Sequence, residues 1–113
     1  MTTIYHMAAL ADWQAALQSG SYAGSPDDLR DGFMHFSTAA QVAASAAKHR
    51  AGRADLLLLA IAAESLGDAL KWEPARGGDL FPHLYAALRP DQVRSIRPLP
   101  LGADGLHIFP PLD

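Results

Sequence analysis

The chain of 113 residues contains no cysteine, and its charged and aromatic side chains are few. The absence of cysteine excludes disulfide frameworks, thiol catalysis and cysteine-ligated zinc or iron–sulfur sites. The longest uninterrupted apolar run, residues 56–63, is far shorter than the roughly 20 residues that a membrane-spanning helix needs. The pattern Gly-x-Gly-x-x-Gly of Rossmann dinucleotide sites is also absent. We therefore expect neither a membrane partner nor a Rossmann fold.

The charge balance of the chain is slightly acidic, with a formal net charge of −3. This argues against general nucleic-acid binding, because such affinity comes chiefly from Lys and Arg side chains that neutralise phosphates. A site for a small anionic molecule is compatible with the composition. Residues 1–6 lack the basic region and apolar stretch of a secretory signal, so we expect a cytoplasmic protein.

Hydrophobic patterning predicts one α+β domain over residues 1–113, with a core at about 4–98 and a Gly- and Pro-rich tail at 102–113 on the surface. Predicted strands lie at 4–6, 33–36, 56–61, 70–73, 81–85 and 93–99, and predicted helices at 8–19 and 38–51. Helix is the alternative for 56–61, and 25–28 is expected to form a turn or a single helical turn. Because strands outnumber helices after the midpoint, the pattern favours α+β over doubly wound α/β.

Three of the five histidines, His6, His35 and His83, lie in short predicted strands that also carry aromatic residues. A buried imidazole needs hydrogen-bond partners, so these rings either bond to nearby backbone or meet at a site. Three histidines can also ligate catalytic zinc, but no His-x-His or His-x-x-x-His element supports a metal. His49 and His107 are expected to be structural residues or bystanders.

Several polar residues are further candidates, each with a plain structural alternative. Ser37 is either a nucleophile or a helix cap, and Thr38 with Gln41 fits a capping box before the second helix. Glu73 is either a carboxylate in a cleft or a solvated strand residue. Arg76 opens a glycine-containing loop that is either a mobile lid meeting a phosphate or an ordinary surface loop.

Taken together and in order, several segments resemble a family of small bacterial proteins known as domain of unknown function 952. The resemblance spans about Ile4 to Pro98 and is carried by Ile4–His6, Trp13, Gly32–Thr38, Lys71–Glu73 and Phe81–Tyr85. That family is similar to the ADP-ribosyltransferase-like superfamily, which includes NAD-consuming transferases and RNA 2′-phosphotransferases. The resemblance implies a split, mostly antiparallel sheet with two packed helices and a cleft that opens for NAD.

The resemblance also implies roles for individual residues. His6 is expected to contact ribose hydroxyls, His35 takes the place of a tyrosine near nicotinamide, and His83 stands where active transferases commonly carry a glutamate. These three are the expected catalytic residues. The expected ligand contacts are Tyr5, Ser37, Thr38, Glu73, Arg76 and Tyr85. No cofactor is required, NAD is a possible substrate, and the expected partner is a small-molecule nucleotide.

A cleft with three histidines suits phosphate better than a sugar cation, because imidazolium donors attract anions and oppose developing positive charge. We therefore expect a protein that binds or processes NAD, ADP-ribose or a nucleotide 2′-phosphate. A non-catalytic nucleotide-binding or interaction module of the same fold is the alternative. A metal-dependent hydrolase with histidine ligands is the third hypothesis.

Overall fold

The computed structural model describes residues 2–112, without the side chain of Arg76. Within this range the chain forms seven β-strands and three α-helices. The strands are β1 (Thr3–Ala9), β2 (Met34–His35), β3 (Ser37–Thr38), β4 (Leu56–Ala62), β5 (Leu70–Pro74), β6 (Leu80–Leu84) and β7 (Val93–Pro98). The helices are α1 (Leu10–Ser19), α2 (Pro26–Asp31) and α3 (Val42–His49). Short 3-10 segments lie at Ala63–Ala69, Arg76–Gly78 and Pro90–Gln92.

The strands form two antiparallel sheets, so the expected α+β class and split antiparallel arrangement are confirmed. The first sheet has the order β3-β1-β4-β7 and the second the order β2-β6-β5. Strands β1 and β4 pair along their whole length, from Thr3 opposite Ala62 to Ala9 opposite Leu56. Strand β3 pairs with β1 only at Ile4 and Tyr5. From His6 onwards, no strand within residues 2–112 pairs with this edge of β1.

The alternation of side chains along β1 and β4 creates two apolar clusters, one on each face of the first sheet. Ile4 and Leu59 point towards the second sheet, where they pack with residues such as Phe36. Tyr5 and Leu58 point to the opposite face and pack with Val42 of α3, Leu99 and the tail residues Phe109 and Leu112. His6 follows the parity of Ile4, which places its ring between the two sheets.

Two local expectations about the elements are wrong. The chain has three helices rather than the two predicted, because Pro26–Asp31 also forms a helix. Ser25 supports it with a capping box: the Ser25 hydroxyl accepts from Asp28 N, and the Asp28 carboxylate accepts from Ser25 N. The predicted strand 33–36 is also wrong in extent: Met34–His35 joins the second sheet and Ser37–Thr38 joins the first. Phe36 lies between them and donates its N–H to the carbonyl of Pro82.

The remaining differences concern where elements begin. The first helix begins at Leu10 rather than residue 8, because the first strand continues pairing with β4 up to Ala9. It ends as expected at Gly20, which adopts φ 83°. The second expected helix begins at Val42, after a turn in which Gln41 Oε1 accepts from Thr38 N at 3.0 Å. Between residues 2 and 112, no helix is long and apolar enough to cross a membrane.

Candidate functional site

A cleft of about 300 Å³ opens between the two sheets, beside the uncovered edge of β1. Side chains from both sheets and from helices α2 and α3 line it, among them all three strand histidines. His35 and His83 are direct cross-strand partners, with ring centroids 5.6 Å apart. His6 reaches the same place from the first sheet, since its Nδ1 lies 2.8 Å from the backbone oxygen of His35. Three imidazoles that are distant in sequence therefore meet at one cleft.

Asp28, on the first turn of α2, lies at the cleft and contacts both His35 and His6. Its side chain is buried, and the residue is 2% exposed. Its Oδ1 accepts from Nδ1 of His35 at 2.5 Å and from the His35 backbone N–H at 3.0 Å. Its Oδ2 accepts from Ser25 N at 2.8 Å and lies 3.7 Å from Nε2 of His6. Burial raises the pKa of Asp28, but the hydrogen bonds from the side chain and backbone of His35 and from the backbone of Ser25 outweigh it and hold the pKa below its ordinary value. Asp28 is therefore an ionised carboxylate.

His35 is the positively charged ring of the cleft. Its hydrogen bond to Asp28 raises its pKa above the ordinary value, and the charges of Asp28 and Asp31 add to this effect against partial burial. Its second nitrogen, Nε2, lies 3.1 Å from Oδ2 of Asp31. Two carboxylates can only accept, so both ring nitrogens carry hydrogens. The ring is 41% exposed and presents this charge at the mouth of the cleft.

His6 is neutral and fully committed to partners inside the protein. Burial lowers its pKa, and this outweighs the attraction of Asp28. Its Nδ1 faces the carbonyl of His35 and must donate, so Nε2 is the acceptor. The hydroxyl of the buried Tyr22 donates to that Nε2 at 2.8 Å. Burial also raises the pKa of Tyr22, which keeps its hydroxyl protonated for this bond.

His83 has a different environment on the second sheet. Its Nδ1 lies 2.8 Å from Oε1 of Glu73, and the hydroxyl of Tyr85 donates to the same oxygen at 2.7 Å. The ring of Phe33 lies between these aromatic groups, with its centroid 4.2 Å from that of His83, 4.6 Å from that of His35 and 5.2 Å from that of Tyr85. Phe33 therefore fixes the orientation of the two cleft histidines on this sheet.

The opposite wall carries hydroxyls and a further cation. Ser37 Oγ donates to Ser45 Oγ at 3.1 Å, and both side chains are buried at the cleft. Arg50, at the end of α3, is 17% exposed, and its Nη1 lies 3.5 Å from Oδ2 of Asp27. The cleft thus combines carboxylates from α2 with cations from α3 and β2. The expected capping role of Ser37 is wrong, since its hydroxyl bonds to Ser45 instead.

The expected site residues fall into three groups. Tyr5 and Ser37 line the cleft together with the three histidines. Glu73 bonds to Nδ1 of His83, and Tyr85 bonds to Glu73, but neither residue lines the cleft. Thr38 lies away from the cleft in β3, opposite Ile4. The Arg76 side chain, expected to meet a phosphate, lies outside the described residues. The catalytic roles of the histidines and the ligand contacts of the other residues stay predictions.

Sequence reasoning missed Asp28, Tyr22, Phe33 and Arg50, although these residues orient or line the cleft. For Asp28 a signal was present, because Ser-Pro-Asp-Asp at 25–28 has a capping serine, a proline at the first helical position and an acid three residues after the cap. Tyr22 and Arg50 reach the cleft only through tertiary packing. No group of three or more metal-ligating His, Asp or Glu side chains occurs in the part of the chain that the structure describes.

Proteins of known structure share this architecture. The family model "Protein of unknown function (DUF952)" matches residues 7–96. The crystal structure of protein CC0527 from Caulobacter crescentus is 47% identical, with a TM-score of 0.92 over 95% of this chain and 94% of that chain. Its solution NMR structure is 48% identical, with a TM-score of 0.84 over 94% and 91% of the two chains. No protein with a curated description matches. Since the family model spans most of the chain, this protein belongs to the DUF952 family.

Proposed function

We propose that the cleft binds the ribose and phosphate groups of a nucleotide, such as NAD, ADP-ribose or a nucleotide 2′-phosphate, in an ADP-ribosyltransferase-like fold. The observation that carries this proposal is the meeting of His6, His35 and His83 around one opening of about 300 Å³. The superfamily relationship is supported by two antiparallel sheets with a cleft between them and by one histidine on each of β1, β2 and β6.

The size of the cleft favours part of a nucleotide over a whole dinucleotide. Small-molecule sites have volumes of roughly 300–1,000 Å³, and this cleft lies at the lower end of that range. One ribose with its phosphate is a suitable occupant, while the remainder of a dinucleotide extends along the surface. The apolar groove beside it, lined by Phe33, Leu29 and Tyr85, offers contact for such an extension.

The mixed charge of the cleft matches the two chemical halves of a ribose phosphate. The guanidinium of Arg50 suits a phosphate, because charge-assisted hydrogen bonds to phosphate oxygens are strong, and the positive charge of the His35 imidazolium adds electrostatic attraction. The carboxylates of Asp27 and Asp31 can accept hydrogen bonds from ribose hydroxyls. A bare polyanion fits less well, because the same carboxylates repel it.

A non-catalytic binding module of the same fold is the second candidate, and one observation favours it. Both ring nitrogens of His6 bond within the protein, to the carbonyl of His35 and the hydroxyl of Tyr22. His6 can therefore shape the cleft without giving a hydrogen bond to a ligand. Nicotinamide release or phosphate transfer from a bound ligand distinguishes the enzyme from the module.

Isothermal titration tests the proposed binding. The ligands are NAD, ADP-ribose and a 2′-phosphorylated nucleotide, each titrated to millimolar concentration against the folded protein. We expect heat with at least one ligand and a Kd weaker by about tenfold in His35→Ala, because this variant removes the positive charge that attracts the phosphate. His107→Ala is the matched control, because His107 bonds to the backbone of Arg53 and does not line the cleft. Absence of heat with all three ligands overturns the proposal.

A further inference from the structure

His83 and Glu73 form a hydrogen-bonded pair that the strand register itself creates. Lys71 lies directly opposite His83 in the β5–β6 pairing, and Glu73 is two residues further along β5. Residues two apart in a strand share a face, so Glu73, His83 and Tyr85 all point to the same side of the second sheet. The pair is therefore built on two paired strands rather than on a loop, which holds its geometry.

The pair fixes the tautomer of His83. Hydrogen bonds from Tyr85 and His83 keep the pKa of Glu73 below its ordinary value, so its carboxylate is ionised and can only accept. The Nδ1 of His83, 2.8 Å away, must then carry a hydrogen. In the tautomer that this bond selects, the lone pair of the imidazole lies on Nε2. None of the side chains that the structure describes bonds to Nε2, and the ring lines the cleft.

The surroundings of His83 complete this arrangement. The charged or titratable groups that face it are Glu73 and Lys71 from β5, Tyr85 just after β6 and His35 from β2. Phe33 covers one face of the imidazole, with the two ring planes 31° apart. The carboxylate of Glu73 can stabilise an imidazolium that forms on His83, just as it orients the neutral ring.

We propose that His83 is the general base of the cleft and Glu73 its positioning residue, with Nε2 taking the proton of the hydroxyl that attacks a bound nucleotide. This inference rests on the nucleotide binding proposed above and deepens it. A carboxylate that holds Nδ1–H and leaves Nε2 unpaired is the arrangement in which a histidine accepts a proton. His6, with both nitrogens occupied inside the protein, cannot take this role.

The charged ring of His35, beside His83, limits the class of substrate that the cleft can process. Both N–H groups of His35 already point at carboxylates, those of Asp28 and Asp31, so this ring is not placed to protonate a leaving group. A leaving group that departs as a stable neutral molecule suits such a cleft. The N-glycosidic bond of a nicotinamide nucleotide meets this requirement.

The step balances with water as the only co-reactant. The water oxygen forms a bond to the ribose C1′, and its proton moves to Nε2 of His83. The bond from C1′ to the pyridinium nitrogen breaks, and its electron pair neutralises the positive charge of the departing nicotinamide. The proton on His83 then passes to solvent, which restores the neutral ring bonded to Glu73.

Nicotinamide release from NAD, followed chromatographically with the wild-type protein and three variants, tests the inference. His83→Gln is expected to lower kcat by about 100-fold or more at unchanged KM, because general-base catalysis contributes 10²–10⁴-fold. Glu73→Gln keeps the shape but removes the charge, and we expect about a tenfold lower kcat. Asp79→Asn is the matched control, since Asp79 is exposed and does not line the cleft, and its rate is expected to equal that of the wild type.

Nitrogen-15 spectra of the histidine rings give a readout that needs no substrate. We expect the Nδ1-protonated tautomer of His83 in the wild-type protein and a mixture of tautomers in Glu73→Gln. An Nε2-protonated ring overturns the inference whatever the ligand. Binding of NAD without nicotinamide release, or release unchanged in His83→Gln, also overturns it and leaves the binding proposal intact. Absence of nucleotide binding in the titrations defeats the proposed function, and this inference with it.

Discussion

The Oδ1 atom of Asp28 accepts two hydrogen bonds from one residue, the backbone N–H of His35 at 3.0 Å and its ring Nδ1 at 2.5 Å. The same carboxylate closes the capping box of α2 through Ser25. A single buried side chain therefore ties the start of a helix to a short strand and to the charged ring of the cleft. Changes at this carboxylate are expected to affect both stability and the site.

The two histidines beside Asp28 should give the protein a stability maximum near about pH 6.5, where an unperturbed histidine titrates. The raised pKa of His35 stabilises the fold below that pH, and this stability is lost as the pH rises through the folded-state pKa. The lowered pKa of His6 acts in the opposite direction, because below about pH 6.5 the unfolded chain takes up a proton that the buried ring refuses.

Urea denaturation across about pH 5 to pH 8 measures this dependence. His35→Gln is expected to lose the decline on the alkaline side and to keep the decline on the acidic side. An alkaline decline of equal slope in the variant and the wild type would contradict the assignment of this effect to His35.

Tyr22→Phe should destabilise the fold by about 1–3 kcal/mol, because it leaves the buried Nε2 of His6 without its donor. Thermal denaturation measures the effect, with a shift of roughly 4 °C or more per kcal/mol for a chain of this size. Tyr85→Phe is the matched control, since its hydroxyl bonds to Glu73 at an exposed site and its loss should matter less. Equal melting shifts in the two variants would refute the buried role of Tyr22.

Gly24→Ala should be more damaging than Gly20→Ala, although both glycines adopt positive φ, 101° and 83°. A Cβ at residue 24 overlaps the carboxylate of Asp28, whereas a Cβ at residue 20 has no heavy atom within 4 Å. We expect Gly20→Ala to cost about 1–2 kcal/mol for the backbone conformation alone, and Gly24→Ala about 3 kcal/mol or more. Chemical denaturation compares them, and the His35 ring resonances should move only in Gly24→Ala. Similar losses in both would count against the contact with Asp28.

Arg50→Gln should weaken the binding of a phosphorylated ligand about tenfold, since a hydrogen bond between charged groups contributes about 1.5–3 kcal/mol. The loss should shrink as salt screens the interaction. Arg53→Gln is the control, because Arg53 pairs with Asp55 and does not line the cleft. Titration calorimetry with ADP-ribose at two salt concentrations provides the measurement. Equal affinity in both variants would remove Arg50 from the phosphate site.

Part of the site was predictable because patterns within short segments of the sequence indicate some of its residues. His35 and His83 are flanked by aromatic residues in segments of strand length, and the family resemblance pointed to the same rings. Tyr22 was not predictable in this way. Its hydroxyl reaches His6 across 16 residues, and no local pattern encodes that contact.

The division of residues 33–38 between two sheets shows the same limit. The apolar and aromatic run Phe33–Phe36 indicates a strand by itself. The chain instead changes sheets at Phe36, because Met34 and His35 pair with β6 while Ser37 and Thr38 pair with β1. Strand composition does not specify a partner, which the packing of the two sheets selects.

The sequence by itself determined the α+β class and the end of the first helix at Gly20, and it favoured a strand over a helix at 56–61, because periodicity and backbone freedom are local properties. Only the tertiary structure decided which imidazole is charged, which is buried and neutral, and which bonds through Nδ1 to a glutamate. Those states follow from burial and from carboxylates that pack against each ring, and these partners come together only when the two sheets meet.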